Sequence, residues 1–186
     1  TDGKCVAGNF AVSPGQEWHD ISGSNGKLIA QVSIGNNTNV ASVSASIYKS
    51  AAMIENINGS DYLSKRVKLR LNDPGGNAVQ PNNEPVYVRL YYTNAEFIAL
   101  NTASPSSPLT WAIVKTSGSD CGDGYSGTNA TVMNTTFNNT GCSGEDGYFE
   151  FFTGSFSTFY LFATEAILPV DLVAFDARYP KTAGPT

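Results

Sequence analysis

His19 is the single histidine of the chain, and it stands between Trp18 and Asp20. A catalytic triad would have to recruit this imidazole, and no Gly-x-Ser-x-Gly elbow accompanies it. In an extended segment, neighbouring side chains point to opposite faces. Trp18, His19 and Asp20 therefore do not converge on one point, and His19 reads as a hydrogen-bonded loop residue. The carboxylates offer little more. Glycoside hydrolysis needs two carboxyl groups about 5 to 9.5 Å apart across the bound sugar. Glu145 and Glu150 are close in sequence, but their flanks do not mark such a pair, and the remaining acids fall mostly in turns. The expectation is a chain without catalysis.

Metal chemistry has one candidate. Asp120-Cys121-Gly122-Asp123-Gly124 and Ser143-Gly144-Glu145-Asp146-Gly147 each concentrate carboxylates and glycines. Calcium favours several oxygen ligands on a flexible loop, which makes Asp120, Asp123, Glu145 and Asp146 its candidate ligands. The competing reading is ordinary turns, since Asp-Gly pairs are common there and the spacing is not that of an EF-hand. No other cofactor is indicated. Cys121 and Cys142 bracket a polar insertion, 122–141, rich in Gly, Asn and Thr. A disulfide across it would remove roughly 3 kcal/mol of unfolded-state freedom; two unrelated buried thiols are the alternative. Cys5 is then left over, free or paired outside the chain, and the absence of CxxC or Cys/His spacing argues against zinc.

Aromatic residues are the remaining resource, crowding the second half of the chain from Tyr91 to Phe162. Sugars stack their C–H faces on exposed Trp and Tyr rings while amides and carboxylates bind their hydroxyls, so a carbohydrate site is a natural use. Most of these rings are needed between two sheets. Trp18, Trp111 and Tyr125 are the candidates for exposure and ligand contact, Tyr125 because it lies in the polar insertion, where loops carry function. Asn36, Asn58, Asn129, Asn134 and Asn138 each begin an Asn-x-Ser/Thr sequon, read either as glycan acceptors or as an Asn/Thr-rich surface.

The elements that must position these groups are mostly strands. Short alternating runs occur at Lys27–Ile34, Val40–Tyr48, Tyr62–Leu71, Pro85–Tyr92, Leu109–Lys115, Tyr148–Phe152, Phe156–Ala163 and Leu168–Ala177, separated by turn residues such as Asn72-Asp73-Pro74-Gly75-Gly76. In the third run, Val67, Leu69 and Leu71 should point inward and Arg66, Lys68 and Arg70 to solvent. One short helix is predicted after Thr93, which can cap it with Glu96 as the capping-box partner. The fold class is all-β: a two-sheet antiparallel β-sandwich with jelly-roll or immunoglobulin-like connections and one short helix. One module spans 1–179, with 1–14 as an arm able to complete a neighbour's sheet and so drive self-assembly, and 180–186 as a linker or tail.

Composition narrows the partners. The chain has 186 residues, 41% hydrophobic and 15% charged, where a charged fraction of about 25% is usual. Such a low charge count with abundant Gly, Ser, Thr and Asn fits an extracellular β-rich protein. A net charge of −5 opposes nucleic acid, whose binding depends on Lys and Arg, and anionic membrane surfaces. No apolar run approaches the ~20 residues that span a bilayer. Thr1-Asp2-Gly3 reads as a trimmed or mature start without a signal peptide.

Three segments together carry a family resemblance. Val88-Arg89-Leu90-Tyr91-Tyr92-Thr93-Asn94-Ala95-Glu96-Phe97 resembles the "VRLYFTdaEl" stretch of a widespread Bacteroidetes surface domain. Ser155-Phe156-Ser157-Thr158-Phe159-Tyr160-Leu161 is similar to its closing strand, and Leu168-Pro169-Val170-Asp171-Leu172-Val173-Ala174-Phe175 resembles the "LPVELxxFxA" junction leading into type IX secretion sorting domains. The resemblance implies export across the outer membrane and an extracellular or outer-surface location, with no single activity. Two functions stay open: a binding or adhesion module with a glycan or another surface protein as ligand, and a structural subunit or spacer of a surface adhesin, filament or layer.

Overall fold

The computed structural model describes residues 6–15, 17–23, 26–117, 125, 127, 129–139 and 147–163. The strands run β1 Val6–Ala11, β2 His19–Ser22, β3 Leu28–Ser33, β4 Ser42–Tyr48, β5 Ile54–Ile57, β6 Ser60–Asn72 and β7 Ala78–Val79. After β8 (Val86–Tyr92) comes helix α1 (Asn94–Ala103), then β9 Ala112–Thr116, β10 Ala130–Val132, β11 Thr136–Asn138, β12 Gly147–Thr153 and β13 Thr158–Phe162. They form two antiparallel sheets. The eight-stranded sheet has the order β1-β4-β6-β13-β9-β10, with β5 and β7 also paired to β6; the five-stranded sheet has the order β11-β12-β8-β3-β2. The two pack as a β-sandwich: Val43, Leu69, Phe159 and Ile113 of one share a core with Ala30, Val88, Leu90 and Phe149 of the other.

Alternation explains why these segments are strands and which way they face. In β8, Val86, Val88, Leu90 and Tyr92 are buried in the core while Tyr87 and Arg89 alternate outward. In β12 the inward set is Phe149 and Phe151 and the outward set Tyr148, Glu150 and Phe152. The chain passes between sheets at each lateral edge, from β1 to β2 on one side and from β10 to β11 on the other.

The helix forms where the capping box places it. Glu96 N–H donates to the Thr93 hydroxyl at 3.3 Å, and the Thr93 N–H donates to the Glu96 carboxylate at 2.9 Å. The same carboxylate meets Lys65 of β6 at 3.0 Å, and the Lys65 ammonium also donates to the carbonyl of Tyr91 at 2.8 Å. Lys65 is on one sheet and Tyr91 on the other, so this buried cluster ties both sheets to the helix. Burial works against the Glu96 charge, but Lys65, the Thr93 N–H and Lys49 together outweigh it and hold the carboxyl below its ordinary range.

Several expectations change. The presumed arm 1–14 is a strand of its own sheet over Val6–Ala11, paired with Ser42–Ile47 of β4. His19, expected in a loop, begins β2, and its imidazole Nε2 is 3.1 Å from the Ser13 carbonyl. The polar insertion contributes β10 and β11. Arg66, expected in solvent, is only 3% exposed. The outer face of β6 is itself covered there, so alternation does not translate into exposure: the Arg66 guanidinium lies 4.1 Å over the Tyr48 ring and pairs with Glu55 at 3.5 Å.

Two loops are tied together by one buried amide. Asn37 donates to the carbonyls of Ile34 and Glu84 at 2.8 and 2.9 Å, and its oxygen accepts the N–H groups of Asn82 and Asn83, both at 2.9 Å. Gly35, at φ 52°, lies against the Glu84 side chain, where any Cβ would collide with the carboxylate.

Candidate functional site

The outward face of the five-stranded sheet collects a polar row in register. Glu150 of β12 is opposite Arg89 of β8, Arg89 is opposite Gln31 of β3, and Gln31 is opposite Asp20 of β2. The row is hydrogen-bonded across its whole width. Arg89 Nε donates to Glu150 Oε2 at 2.7 Å and Nη1 to Gln31 Oε1 at 3.3 Å; Gln31 Nε2 donates to Asp20 Oδ1 at 2.8 Å. The Tyr91 hydroxyl also donates to Gln31 Oε1, at 2.7 Å.

Two rings pack on the guanidinium. Arg89 lies 3.8 Å over the Trp18 ring and 4.9 Å over Tyr148, which in turn packs on Tyr91 at 5.2 Å. Such stacks contribute about 0.5 to 2 kcal/mol each, the more so when desolvated. Burial alone would weaken the Arg89 charge, but the hydrogen bond and charge of Glu150, with Tyr148 and Tyr91 nearby, keep its pKa above the ordinary value. Two residues along the strands, Tyr87 stands opposite Phe152 with ring centroids 6.2 Å apart. These two rings are 49% and 53% exposed. The face thus offers an apolar pair open to solvent beside fixed donors and acceptors.

Of the ring residues singled out from the sequence, only Trp18 reaches this face. Trp111 was expected to be exposed and is 3% exposed. Its indole packs on Phe97 at 5.7 Å and donates to the Ser106 hydroxyl at 2.8 Å, closing the core beneath α1. A groove of about 380 Å³ beside it is lined by Leu109, Thr110, Val132, Met133 and Asn134. Tyr125, also expected to be exposed, is 7% exposed. Its ring packs on Phe162 at 4.8 Å and Tyr160 at 5.4 Å, filling a second apolar cluster outside the eight-stranded sheet. Burial and then the Tyr160 hydroxyl push its phenol pKa up.

The calcium candidates Asp120, Asp123, Glu145 and Asp146, the cysteines Cys121 and Cys142, and the segment Leu168–Phe175 lie outside the described residues. Among the described residues no group of three or more His, Cys, Asp or Glu is placed to hold a metal ion, and no helix is long and apolar enough to cross a membrane. Tyr87, Phe152, Arg89 and Gln31 were not marked by sequence reasoning. The usable signal was the period of two in Val86–Tyr92, which puts Tyr87, Arg89 and Tyr91 on one side. Comparison with family models, curated proteins and solved structures finds no match.

Proposed function

We propose that this chain is a non-catalytic extracellular binding or adhesion module whose ligand is a glycan, held on the outward face of the five-stranded sheet. The observation that supports the reading is the placement of Tyr87 and Phe152, adjacent and half exposed, beside the fixed row of Asp20, Gln31, Arg89 and Glu150. A pyranose presents an apolar C–H face and an equatorial rim of hydroxyls, and needs both kinds of partner within one ring's width. The row is preorganised by its internal hydrogen bonds and by the stacking of Arg89. Ligand binding would therefore not bear the roughly 0.5 to 1.5 kcal/mol per side chain that ordering costs. Display at the outer surface, by the type IX route that the resembling segments imply, belongs to the same proposal.

A second reading has its own support. Among the described residues each sheet ends in edge strands, β1 and β10 in one and β2 and β11 in the other, and an edge can accept a neighbouring chain. On that reading the module is a structural subunit or spacer of an adhesin, filament or layer. A glycan array probed with the purified chain, followed by Tyr87→Ala and Phe152→Ala, separates the two. Reproducible glycan signal that drops at least about tenfold, or 1.4 kcal/mol, in either variant at unchanged melting temperature supports the binding face. A silent array together with polymers in electron micrographs supports the structural subunit.

A further inference from the structure

We infer that the ligand of this face is an uncharged saccharide, and that the Asp20–Arg89–Glu150 row selects against acidic glycans; the inference rests on the glycan reading above. The selection follows from how hydrogen-bonding capacity is left over. Glu150 Oε2 is taken by Arg89 and Asp20 Oδ1 by Gln31. Among the described residues, Glu150 Oε1 and Asp20 Oδ2 have no hydrogen bond, and Arg89 uses only Nε and Nη1. On the charged side chains, spare capacity therefore consists of two carboxylate oxygens, which only accept, on either side of a guanidinium with N–H donors remaining. A sugar hydroxyl both donates and accepts, so neighbouring hydroxyls can satisfy acceptor and donor at once.

A carboxylate or sulfate cannot. It has no proton to give Asp20 or Glu150 and meets their charges at close range. Two carboxylates face one guanidinium on this row, and the guanidinium already has Glu150 at 2.7 Å as its counter-ion. None of β2, β3, β8, β11 and β12 contains a lysine; Lys27 stands just before β3, four residues from Gln31. Gln31 cannot rotate to help, because its oxygen accepts from both Tyr91 and Arg89 while its amide donates to Asp20.

The test uses the full chain on matched oligosaccharides that differ only in charge: neutral hexose and N-acetylhexosamine chains, and their uronate, sialylated and sulfated counterparts. Expected is binding to neutral members that varies less than twofold between 50 and 500 mM NaCl, with acidic counterparts at least tenfold weaker. Tyr87→Ala should lose at least tenfold on the neutral ligand. Asp20→Asn with Glu150→Gln, folded by circular dichroism, should weaken the neutral ligand and strengthen the acidic one, because Arg89 is then uncompensated. Acidic glycans that bind best, with salt-sensitive affinity, overturn the charge selection and leave the glycan reading standing. No binding to any glycan, or a dimer in sedimentation that Tyr87→Ala dissolves, overturns both.

Discussion

Glu96→Gln is the most informative single change in the scaffold, because one buried carboxylate has two separable tasks. It closes the capping box of α1, and it neutralises the Lys65 ammonium, whose other partners are the Tyr91 carbonyl and the face of Tyr92 at 4.7 Å. Both charged side chains are almost fully buried. Removing one partner of such a pair costs about 3 to 5 kcal/mol, since the other charge stays desolvated. Glutamine can still reach back to the N-cap, so Glu96→Gln isolates the charge, while Glu96→Ala adds about 1 kcal/mol for the lost cap. With about 2 to 4 °C per kcal/mol for a chain of this length, Glu96→Gln should melt about 10 °C below the parent. Lys65→Met combined with Glu96→Gln should recover most of the loss, because an apolar replacement no longer buries a lone charge. Equilibrium unfolding in urea, read by tryptophan fluorescence and circular dichroism, measures all four chains. A Glu96→Gln variant within about 0.5 kcal/mol of the parent, the range of ordinary surface substitutions, would refute the assignment.

Acid should unfold the protein partly through the same residue. The unfolded carboxyl takes up its proton near its ordinary value of 4.5 and the folded one only at lower pH, so its stabilisation is complete above 4.5 and is lost as pH falls through the folded value; Glu96→Gln should flatten that part of a stability–pH curve. Tyr125→Ala removes a ring from the second apolar cluster and should cost about 2 to 3 kcal/mol, below a full core deletion, measured by urea unfolding; an unchanged midpoint would show that the ring contributes no packing. Asn37→Ala strands two N–H and two C=O groups of the loops it ties and should cost about 2 to 3 kcal/mol, measured by denaturant unfolding, with faster hydrogen exchange at Asn82 and Asn83.

The long strands and the helix were legible because their local chemistry and their tertiary role agree. β6 alternates apolar and basic residues over Arg66–Leu71, β8 is built of branched and aromatic residues, and Thr93 with Glu96 writes the helix start directly. The short edge elements were not. β2 is His-Asp-Ile-Ser, in which one apolar side chain reaches the core, and β10 and β11 are three residues each inside a polar stretch; pairing with a partner strand, not local propensity, makes them extended. One missed hairpin did have a signal. Asn58-Gly59 joins β5 to β6 with φ of 51° and 82°, the left-handed pair for which Asn-Gly is favoured.

The outward face of the five-stranded sheet illustrates a harder limit. Alternation within β8 alone puts Tyr87 and Arg89 on one side, and the spacing Trp18-x-Asp20 puts those two on one side of β2. Which sides coincide depends on register between strands far apart in the chain: Arg89 meets Glu150 across 61 residues and Gln31 across 58. A shift of one residue in either pairing would turn every partner to the opposite face. Aromatic content misled for the same reason. Trp111 and Tyr125 have the residue types of a sugar platform, yet the fold uses both to seal apolar surface, whereas Phe152, an ordinary core residue by type, is left half exposed beside Tyr87. A large ring kept open to solvent, next to side chains whose polar groups are already oriented, is where this scaffold leaves stacking area free. Stacking area is therefore better sought at Tyr87 and Phe152 than at Trp111 or Tyr125.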